Sequence, residues 1–328
     1  MAKGQIYKIH SDFYYVKLGF NLVECKLREV LKKQKQEVFV GDFVEVEDNS
    51  ITCVYERKNL IKRPSVSNLD LLVVVSSIKE PSLDFIQLNR YLTFAKIHKI
   101  EAILCFNKED LSDDEMLEDE ITSIYKPLGY KIFITSALNK TGLEKLTDEI
   151  KGKTVVLCGQ SGVGKSSILS AIHPELDFRV GEVSQKMKRG THTTRHVEIV
   201  EFDDFRIVDT PGFSNLKFDF ILPIDLGDYF DEIKEYKKFC KFSDCLHREG
   251  DADCGVIQNL DKINISRYES YLQFLDEALL YKKEVQERGT KRETGHKISS
   301  GKTYAKISAK KRESSRKRVK QGIYDEEI

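Results

Sequence analysis

The 328-residue sequence lacks an apolar run long enough to span a bilayer, and its formal net charge at pH 7 is zero. The first ten residues also lack the apolar core of a secretory signal peptide. From these absences we expect neither a membrane protein nor a secreted one, but a cytoplasmic protein. Because no secretory signal accompanies the seven cysteines, we expect thiols or metal ligands rather than disulfides.

The zero net charge conceals an uneven distribution. Between Lys282 and Lys320 there are fifteen Lys and Arg residues against four Glu, a net charge of +11. From about Gly289 onward the chain is rich in Lys, Arg, Ser and Gly and has few apolar residues. Such a composition predicts a basic flexible tail over residues 289–328, with a polyanion as its partner. The alternative is a tail that only keeps the protein soluble.

Residues 1–62 alternate apolar and polar side chains, as half-buried antiparallel strands do. Val23, Cys25 and Leu27, for example, alternate with charged residues. Five short strands within this length predict a small β-barrel of the OB-fold type. Such barrels bind RNA or mediate protein contacts.

Residues 61–68 contain Pro64 and are typical of a linker. Continuous apolar runs and segments of helical periodicity then alternate, which predicts an α/β domain with a mostly parallel sheet over residues 63–222. The predicted strands are Leu69–Ser76, Ala102–Phe106, Lys131–Thr135, Thr154–Cys158 and Arg206–Val208. The predicted helices are Phe85–Ile97, a segment from Ser112 to Tyr125, Leu143–Ile150 and Lys165–Ile172.

A glycine-rich turn joins the strand Thr154–Cys158 to the segment Lys165–Ile172. The turn fits the phosphate-binding pattern G-x-x-x-x-G-K-S in the strand–loop–helix context that this P-loop requires. Its backbone N–H groups would point at phosphate oxygens, and the start of the helix adds partial positive charge. We expect Lys165 to reach the β- and γ-phosphates and Ser166 to bind Mg²⁺. The predicted phosphate-binding residues are Gly159, Gln160, Ser161, Gly162, Val163, Gly164, Lys165, Ser166 and Ser167.

Two polar segments that follow strands favour guanine over adenine. The carboxylate of Asp110 can accept from both N1–H and the N2 amine of guanine, a donor pair that adenine does not offer. Asn107 is expected to contact the other edge of the base and to tie loops together. A backbone N–H after the next strand can meet guanine O6. We therefore predict GTP and GDP as ligands, with base contacts from Asn107, Lys108, Glu109, Asp110, Ser136 and Ala137.

Two further segments have the character of nucleotide switches. The strand Arg206–Val208 ends in Asp209-Thr-Pro-Gly212, in which Asp209 can hold Mg²⁺ through water and the Gly212 N–H can sense the γ-phosphate. Residues 188–195 form a basic loop with three threonines, which suits a segment that binds Mg²⁺ when GTP is present. Thr194 is the favoured ligand and Thr193 the alternative.

A cluster of potential metal ligands lies between residues 240 and 254. Three thiolates and one imidazole make a closed tetrahedral set that is typical of structural zinc. We expect one zinc ion per chain, bound by Cys240, Cys245, His247 and Cys254. A mainly α-helical zinc-binding domain is predicted over residues 223–288.

The order of these motifs is circularly permuted, because the guanine motifs precede the P-loop. With a small N-terminal barrel and a C-terminal cysteine cluster, this order resembles the ribosome small-subunit-dependent GTPase A family (RsgA/YjeQ type). The resemblance covers residues 1 to about 285. In that family the last two zinc ligands have five intervening residues, a spacing at which this chain has Asp253. Cys254 is one residue later and remains our choice, because a thiolate is the better ligand.

The resemblance implies a GTPase that binds the small ribosomal subunit and its rRNA late in maturation. We expect the protein to be a monomer. The alternatives are a non-enzymatic GTP-binding RNA scaffold and a signalling switch GTPase unrelated to the ribosome. Phe213 stands where Ras-like enzymes have the glutamine that positions water, which predicts slow intrinsic hydrolysis and stimulation by the subunit. The predicted catalytic residues are Lys165, His192, Asp209 and Gly212.

Overall fold

The computed structural model describes residues 1–112, 115–174, 197–202, 204–209, 213, 216–218, 220–250, 253–291, 296–299 and 302–305. The chain forms two compact units, Met1–Leu216 and Lys217–Ile328. The first unit contains the N-terminal barrel and the sheet that carries the P-loop. The second contains the cysteine cluster.

Five strands and one short helix form the N-terminal barrel. The pairings run β1–β2, β2–β3, β3–β5, β5–β4 and β4–β1, so the ring of strands is closed. Alternating side chains fill its interior, among them the fully buried Ile6, Val16 and Ile51. The five-stranded OB-type barrel is thereby confirmed. Its elements are β1 (Ala2–His10), β2 (Phe13–Leu18), β3 (Asn21–Leu27), α1 (Glu29–Lys33), β4 (Phe43–Glu47) and β5 (Ser50–Val54).

The segment predicted as a linker is a β-hairpin. Strands β6 (Leu60–Lys62) and β7 (Ser65–Ser67) pair antiparallel, and Pro64 lies in the turn between them. The buried carboxylate of Asp42 accepts from Arg57 Nε at 2.7 Å and from Ser67 Oγ at 2.6 Å. These bonds connect the barrel to the hairpin, so this stretch has more order than its composition predicts.

A mixed sheet flanked by helices follows the hairpin. The strand order is β10-β9-β8-β11-β13-β12, in which all neighbours are parallel except the antiparallel pair β12–β13. The P-loop strand β11 therefore lies in the middle, where both faces are buried and a continuous apolar run is needed. The elements are β8 (Leu71–Ser77), α2 (Phe85–Ile97), β9 (Glu101–Asn107), α3 (Glu115–Tyr125), β10 (Ile132–Ile134), α4 (Leu143–Ile150), β11 (Thr154–Cys158), α5 (Lys165–Ile172), β12 (Glu198–Glu201) and β13 (Arg206–Asp209).

The barrel and the nucleotide-binding sheet are continuous. Strand β1 pairs antiparallel with β12, at Lys8 and Glu198, and this makes one eleven-stranded sheet. The sequence analysis missed β12, which is four residues long and has two glutamates. The predicted boundary between residues 62 and 63 therefore separates a barrel and an α/β domain whose strands β1 and β12 are hydrogen-bonded to each other.

The second unit is mainly helical within its described residues. It contains α6 (Asp231–Lys237), α7 (Ile265–Lys291) and two short 3₁₀ helices, Leu226–Tyr229 and Ile257–Lys262. Helix α7 begins after Asn264, whose side chain accepts from the Ser266 N–H at 2.9 Å. It extends to Lys291, beyond the predicted start of the tail, and β14 (His296–Ser299) pairs with β15 (Lys302–Ala305). Among the described residues, no helix combines the length and the apolar character needed to cross a membrane.

Candidate nucleotide and metal sites

The P-loop has the backbone that its glycines were predicted to provide. Gly159 has φ +145°, and a Cβ on it would lie 2.0 Å from the carbonyl oxygen of Val75. Gly164 has φ +96°, and a Cβ there would lie 2.2 Å from Asn107 Nδ2. Both positions exclude a side chain, so the loop can pass close to the neighbouring strands.

Lys165 begins helix α5 and is directed back over the loop. Its Nζ donates to the carbonyls of Gly159 at 2.8 Å and Gln160 at 2.7 Å. Burial lowers the pKa of Lys165. Ser166 and Ser167 are exposed in the first turn of the helix, where N–H groups without helical partners are available to an anion. The loop therefore presents an ammonium group and two hydroxyls around one helix start.

Asn107 links three segments of the site. Its Nδ2 donates to the Val163 carbonyl of the P-loop at 3.0 Å, and its Oδ1 accepts from the Ala137 N–H at 3.0 Å. The Thr135 hydroxyl lies 3.4 Å from the same oxygen. The side chain is buried, so these bonds are shielded from water. The predicted guanine motif and the P-loop are thus adjacent, although 52 positions of sequence separate Asn107 from Gly159.

The other residues of the predicted base site surround an exposed carboxylate. Asp110 is exposed and accepts a hydrogen bond from the Ser136 hydroxyl. Lys108 has φ +66°, and its ammonium group donates to the Glu80 carbonyl. Glu109 accepts from the Thr141 hydroxyl at 2.8 Å, which directs its carboxylate to a loop contact.

Asp209 ends strand β13 at the same edge of the sheet as the P-loop. Burial, and secondarily the charge of Glu198, raise the pKa of Asp209. The carboxyl ends of β11 and β13 meet because the two strands are parallel neighbours. Three predicted residues of the switches, His192, Thr194 and Gly212, lie outside the described residues, as does Thr193.

Phe213 is buried, with 4% of its surface exposed. Its ring packs edge-on against Phe94 of helix α2, with the centroids 5.6 Å apart. Arg90 of the same helix donates to the Leu216 carbonyl at 3.3 Å. Helix α2 therefore contacts two residues that follow the Asp209–Gly212 segment, which the sequence analysis did not predict.

Asp84 is another residue that the sequence analysis missed. Its Oδ1 accepts from the Gln87 N–H at 3.0 Å and thereby caps helix α2, while its Oδ2 accepts from Gln160 Nε2 at 2.9 Å. An aspartate before a predicted helix is a recognisable cap signal. Its contact with the P-loop depends on tertiary structure and has no sequence signal.

The cysteine cluster in the second unit has the geometry of a metal site. The ligand atoms of Cys240, Cys245, His247 and Cys254 all lie within 4.8 Å of one another. The Sγ atoms of Cys240 and Cys254 are 3.8 Å apart, and each lies 3.5 Å from His247 Nδ1. A tetrahedral site with metal–sulfur bonds of about 2.3 Å has sulfur–sulfur edges of about 3.8 Å. The distances among Cys240, His247 and Cys254 therefore fit a tetrahedral metal ion, and the Cys245 thiol lies within 4.8 Å of all three.

Asp253 contacts another group instead. Its carboxylate forms an ion pair with Lys241 at 2.7 Å and is half exposed. A buried hydrogen bond also supports the loop that carries the ligands, because the Tyr268 hydroxyl donates to the His247 carbonyl at 2.9 Å. The structure thus groups Cys254, and not Asp253, with the other three ligands.

Comparisons with known proteins agree with this architecture. The model of the RsgA GTPase family matches residues 54–219, and the model of the RsgA N-terminal domain matches residues 3–52. A model described as a 50S ribosome-binding GTPase matches residues 154–286.

Individual relatives match over most of their length. A protein from Alkaliphilus metalliredigens called small ribosomal subunit biogenesis GTPase RsgA is 40% identical, over 84% of this chain and 98% of the relative. The protein of that name from Bacillus subtilis is 36% identical, over 84% and 97%. The crystal structure of YjeQ from Thermotoga maritima matches with a TM-score of 0.73 at 34% identity, over 85% of this chain and 98% of the other.

A solved structure described as YloQ, a circularly permuted GTPase, matches with a TM-score of 0.69 at 33% identity, over 85% of this chain and 95% of the other. The permuted motif order, the closed barrel and these matches lead to the same assignment. They confirm the prediction of a GTPase. The chain belongs to the RsgA GTPase family.

Proposed function

We propose that this GTPase acts in the biogenesis of the small ribosomal subunit. It binds the subunit and its rRNA late in maturation, and the subunit stimulates hydrolysis of GTP to GDP and phosphate. One observation carries the proposal: relatives called small ribosomal subunit biogenesis GTPases match this chain over 97–98% of their own length. A match of that extent includes the parts outside the GTPase motifs, which would recognise a partner.

The proposed division of the chain assigns a role to each part. The barrel (1–62) and the zinc-binding domain (223–288) contact rRNA, and the permuted GTPase domain (63–222) controls residence on the subunit. The basic tail (289–328) adds electrostatic attraction to rRNA phosphates, which falls as salt rises. The protein works as a monomer in the cytoplasm, where its partner is assembled.

The proposed nucleotide roles are those predicted from the motifs, and the contacts of Asn107 and Lys165 support them. Asp110 recognises guanine, the P-loop holds the phosphates, and Lys165 stabilises charge on the transferred phosphoryl group. Ser166, Asp209 and Thr194 would hold Mg²⁺, which would supply positive charge beside the phosphates. Gly212 senses the γ-phosphate, and His192 helps to place the attacking water.

We assign zinc to the Cys₃His cluster. Soft thiolates with one imidazole favour Zn²⁺, and four protein ligands leave no open position for a substrate. The ion is therefore structural: it would hold together the loop from Cys240 to Cys254, in which Phe242 is exposed.

Slow intrinsic hydrolysis follows from the surroundings of Phe213. A buried phenyl ring packed on Phe94 offers no hydrogen bond to an attacking water. In Ras-like enzymes a glutamine at this position orients the water. The small subunit would therefore complete the site, by ordering the switches or by supplying a group of its own.

Sedimentation with purified ribosomal subunits tests the partner. We expect the protein to co-sediment with the small subunit in the presence of a non-hydrolysable GTP analogue and to dissociate with GDP. Because one family model is described as a 50S ribosome-binding GTPase, the large subunit is the matched comparison. Binding to the large subunit alone, or to neither, would refute the proposal. Deletion of residues 289–328 should weaken small-subunit binding most at low salt.

A further inference from the structure

Strand β12 joins the two segments predicted to be switches. It begins at Glu198, three residues after Arg195 of the first segment. Through β13 it leads to Asp209, and Glu198 and Asp209 are direct cross-strand neighbours. A displacement of the first segment would therefore reach β12 along the chain, and one of the second would reach it through β13.

The barrel occupies the other edge of β12. Lys8 of β1 is the cross-strand neighbour of Glu198, so Lys8, Glu198 and Asp209 form one row across three strands. An edge strand with free N–H and C=O groups is normally protected in some way. Here the protection comes from the barrel and lies next to the nucleotide-sensing segments.

Barrel side chains also contact both ends of β12. At its start, Lys8 Nζ lies 3.0 Å from Glu198 Oε2. At its end, Glu201 forms an ion pair with Lys17 and accepts from the Tyr7 hydroxyl at 3.3 Å. Three side-chain contacts thus join this strand of four residues to the barrel.

We propose that Lys8, Lys17 and Tyr7 are positioning residues that couple the barrel to the switches through β12. Exchange of GTP for GDP shifts β12, and the charge contacts transmit that shift to β1 and β2. By linkage, a partner that binds the barrel differently in the two states changes the relative affinity for GTP and GDP by the same factor. The inference rests on the proposed roles of the switches and of the barrel.

The charge pairs can be altered without loss of the fold. Both are partly exposed, and exposed ion pairs contribute little to stability. The double variant Lys8→Gln/Lys17→Gln removes both cations, and Lys8→Arg/Lys17→Arg retains them. Lys131 pairs with Glu149 at 2.8 Å in the same unit, on an element remote in sequence from both switches, so Lys131→Gln is the matched control.

Hydrogen exchange measured by mass spectrometry tests the coupling in the full chain without ribosomes. With a GTP analogue and with GDP, amides of β1 and β12 should exchange at rates that differ by about five-fold or more. The difference should fall below about two-fold in the Gln double variant and persist in the Arg double variant and the Lys131→Gln control. The affinity for GDP, measured alongside, verifies that each variant is folded.

Equal exchange in both nucleotides, a difference that survives in the Gln double variant, or an equal loss in the Lys131→Gln control would each overturn the inference. Because the assay contains no subunit, its outcome is independent of whether the small subunit is the partner. Failure of the coupling and failure of the proposed function are therefore distinguishable.

Discussion

Asn107 offers the strongest single test of how the nucleotide site is assembled. Replacement by alanine removes the two 3.0 Å bonds to the Val163 carbonyl and the Ala137 N–H, and with them the link between the P-loop and the guanine segments. Each bond contributes about 0.5–1.5 kcal/mol net. The combined loss of about 1–3 kcal/mol corresponds to a roughly 5- to 150-fold weaker affinity for GDP.

Titration with a fluorescent GDP analogue in the presence of Mg²⁺ measures this affinity directly. Asn139→Ala is the control, because Asn139 is an exposed residue of the loop that contains Ala137. Its backbone N–H donates to the Ser136 hydroxyl, and the variant retains that bond. Thermal unfolding establishes that both variants are folded. An Asn107→Ala Kd within two-fold of wild type, or an equal loss in Asn139→Ala, would refute the reasoning.

Three further predictions concern other parts of the molecule. Asp110→Asn should weaken GTP binding and favour xanthosine nucleotides, since an amide donates to the xanthine C2 carbonyl; unchanged competition between the two nucleotides would count against the guanine assignment. Metal analysis should find about one zinc per chain, and Cys245→Ser should lose it and destabilise the second unit while GDP affinity is retained. Burial lowers the pKa of His98 to about 4. Between about pH 6.5 and pH 4 the imidazole is therefore protonated in the unfolded state but not in the folded state, so the free energy of unfolding decreases as the pH is lowered. His98→Gln should reduce the loss of unfolding free energy between pH 7 and pH 5 by about 1–2 kcal/mol in denaturant titrations; the same pH dependence in both proteins would contradict the buried neutral state.

Most strands and helices of the first unit could be predicted, because the spacing of apolar residues in the sequence matches the side chains that are buried in the structure. The helix Phe85–Ile97 and the strand Thr154–Cys158 have the predicted bounds. Strand β12 was missed because neighbouring strands stabilise it. Its two glutamates form ion pairs with lysines of the barrel, which the sequence pattern does not show. Its formation depends on contacts with residues more than 180 positions away in the sequence.

The chemistry of the site was predictable because it resides in local motifs. The P-loop glycines and the Cys₃His spacing each follow from requirements within about fifteen residues. The contacts between motifs were not predictable in the same way. Two examples are the hydrogen bond between Asp84 and Gln160 and the packing of helix α2 on Phe213. Both depend on how the parallel sheet brings loops from distant segments to one edge.

The rate of GTP hydrolysis with and without purified small ribosomal subunits tests the central claim most directly. The buried phenyl ring of Phe213 offers no hydrogen bond to an attacking water, and a missing group of this kind is commonly worth about 10²–10⁵-fold in rate. We expect slow turnover by the isolated protein and a kcat at least about ten-fold higher when small subunits are added. A rate that small subunits leave unchanged would contradict both the Phe213 argument and the proposed role in subunit biogenesis.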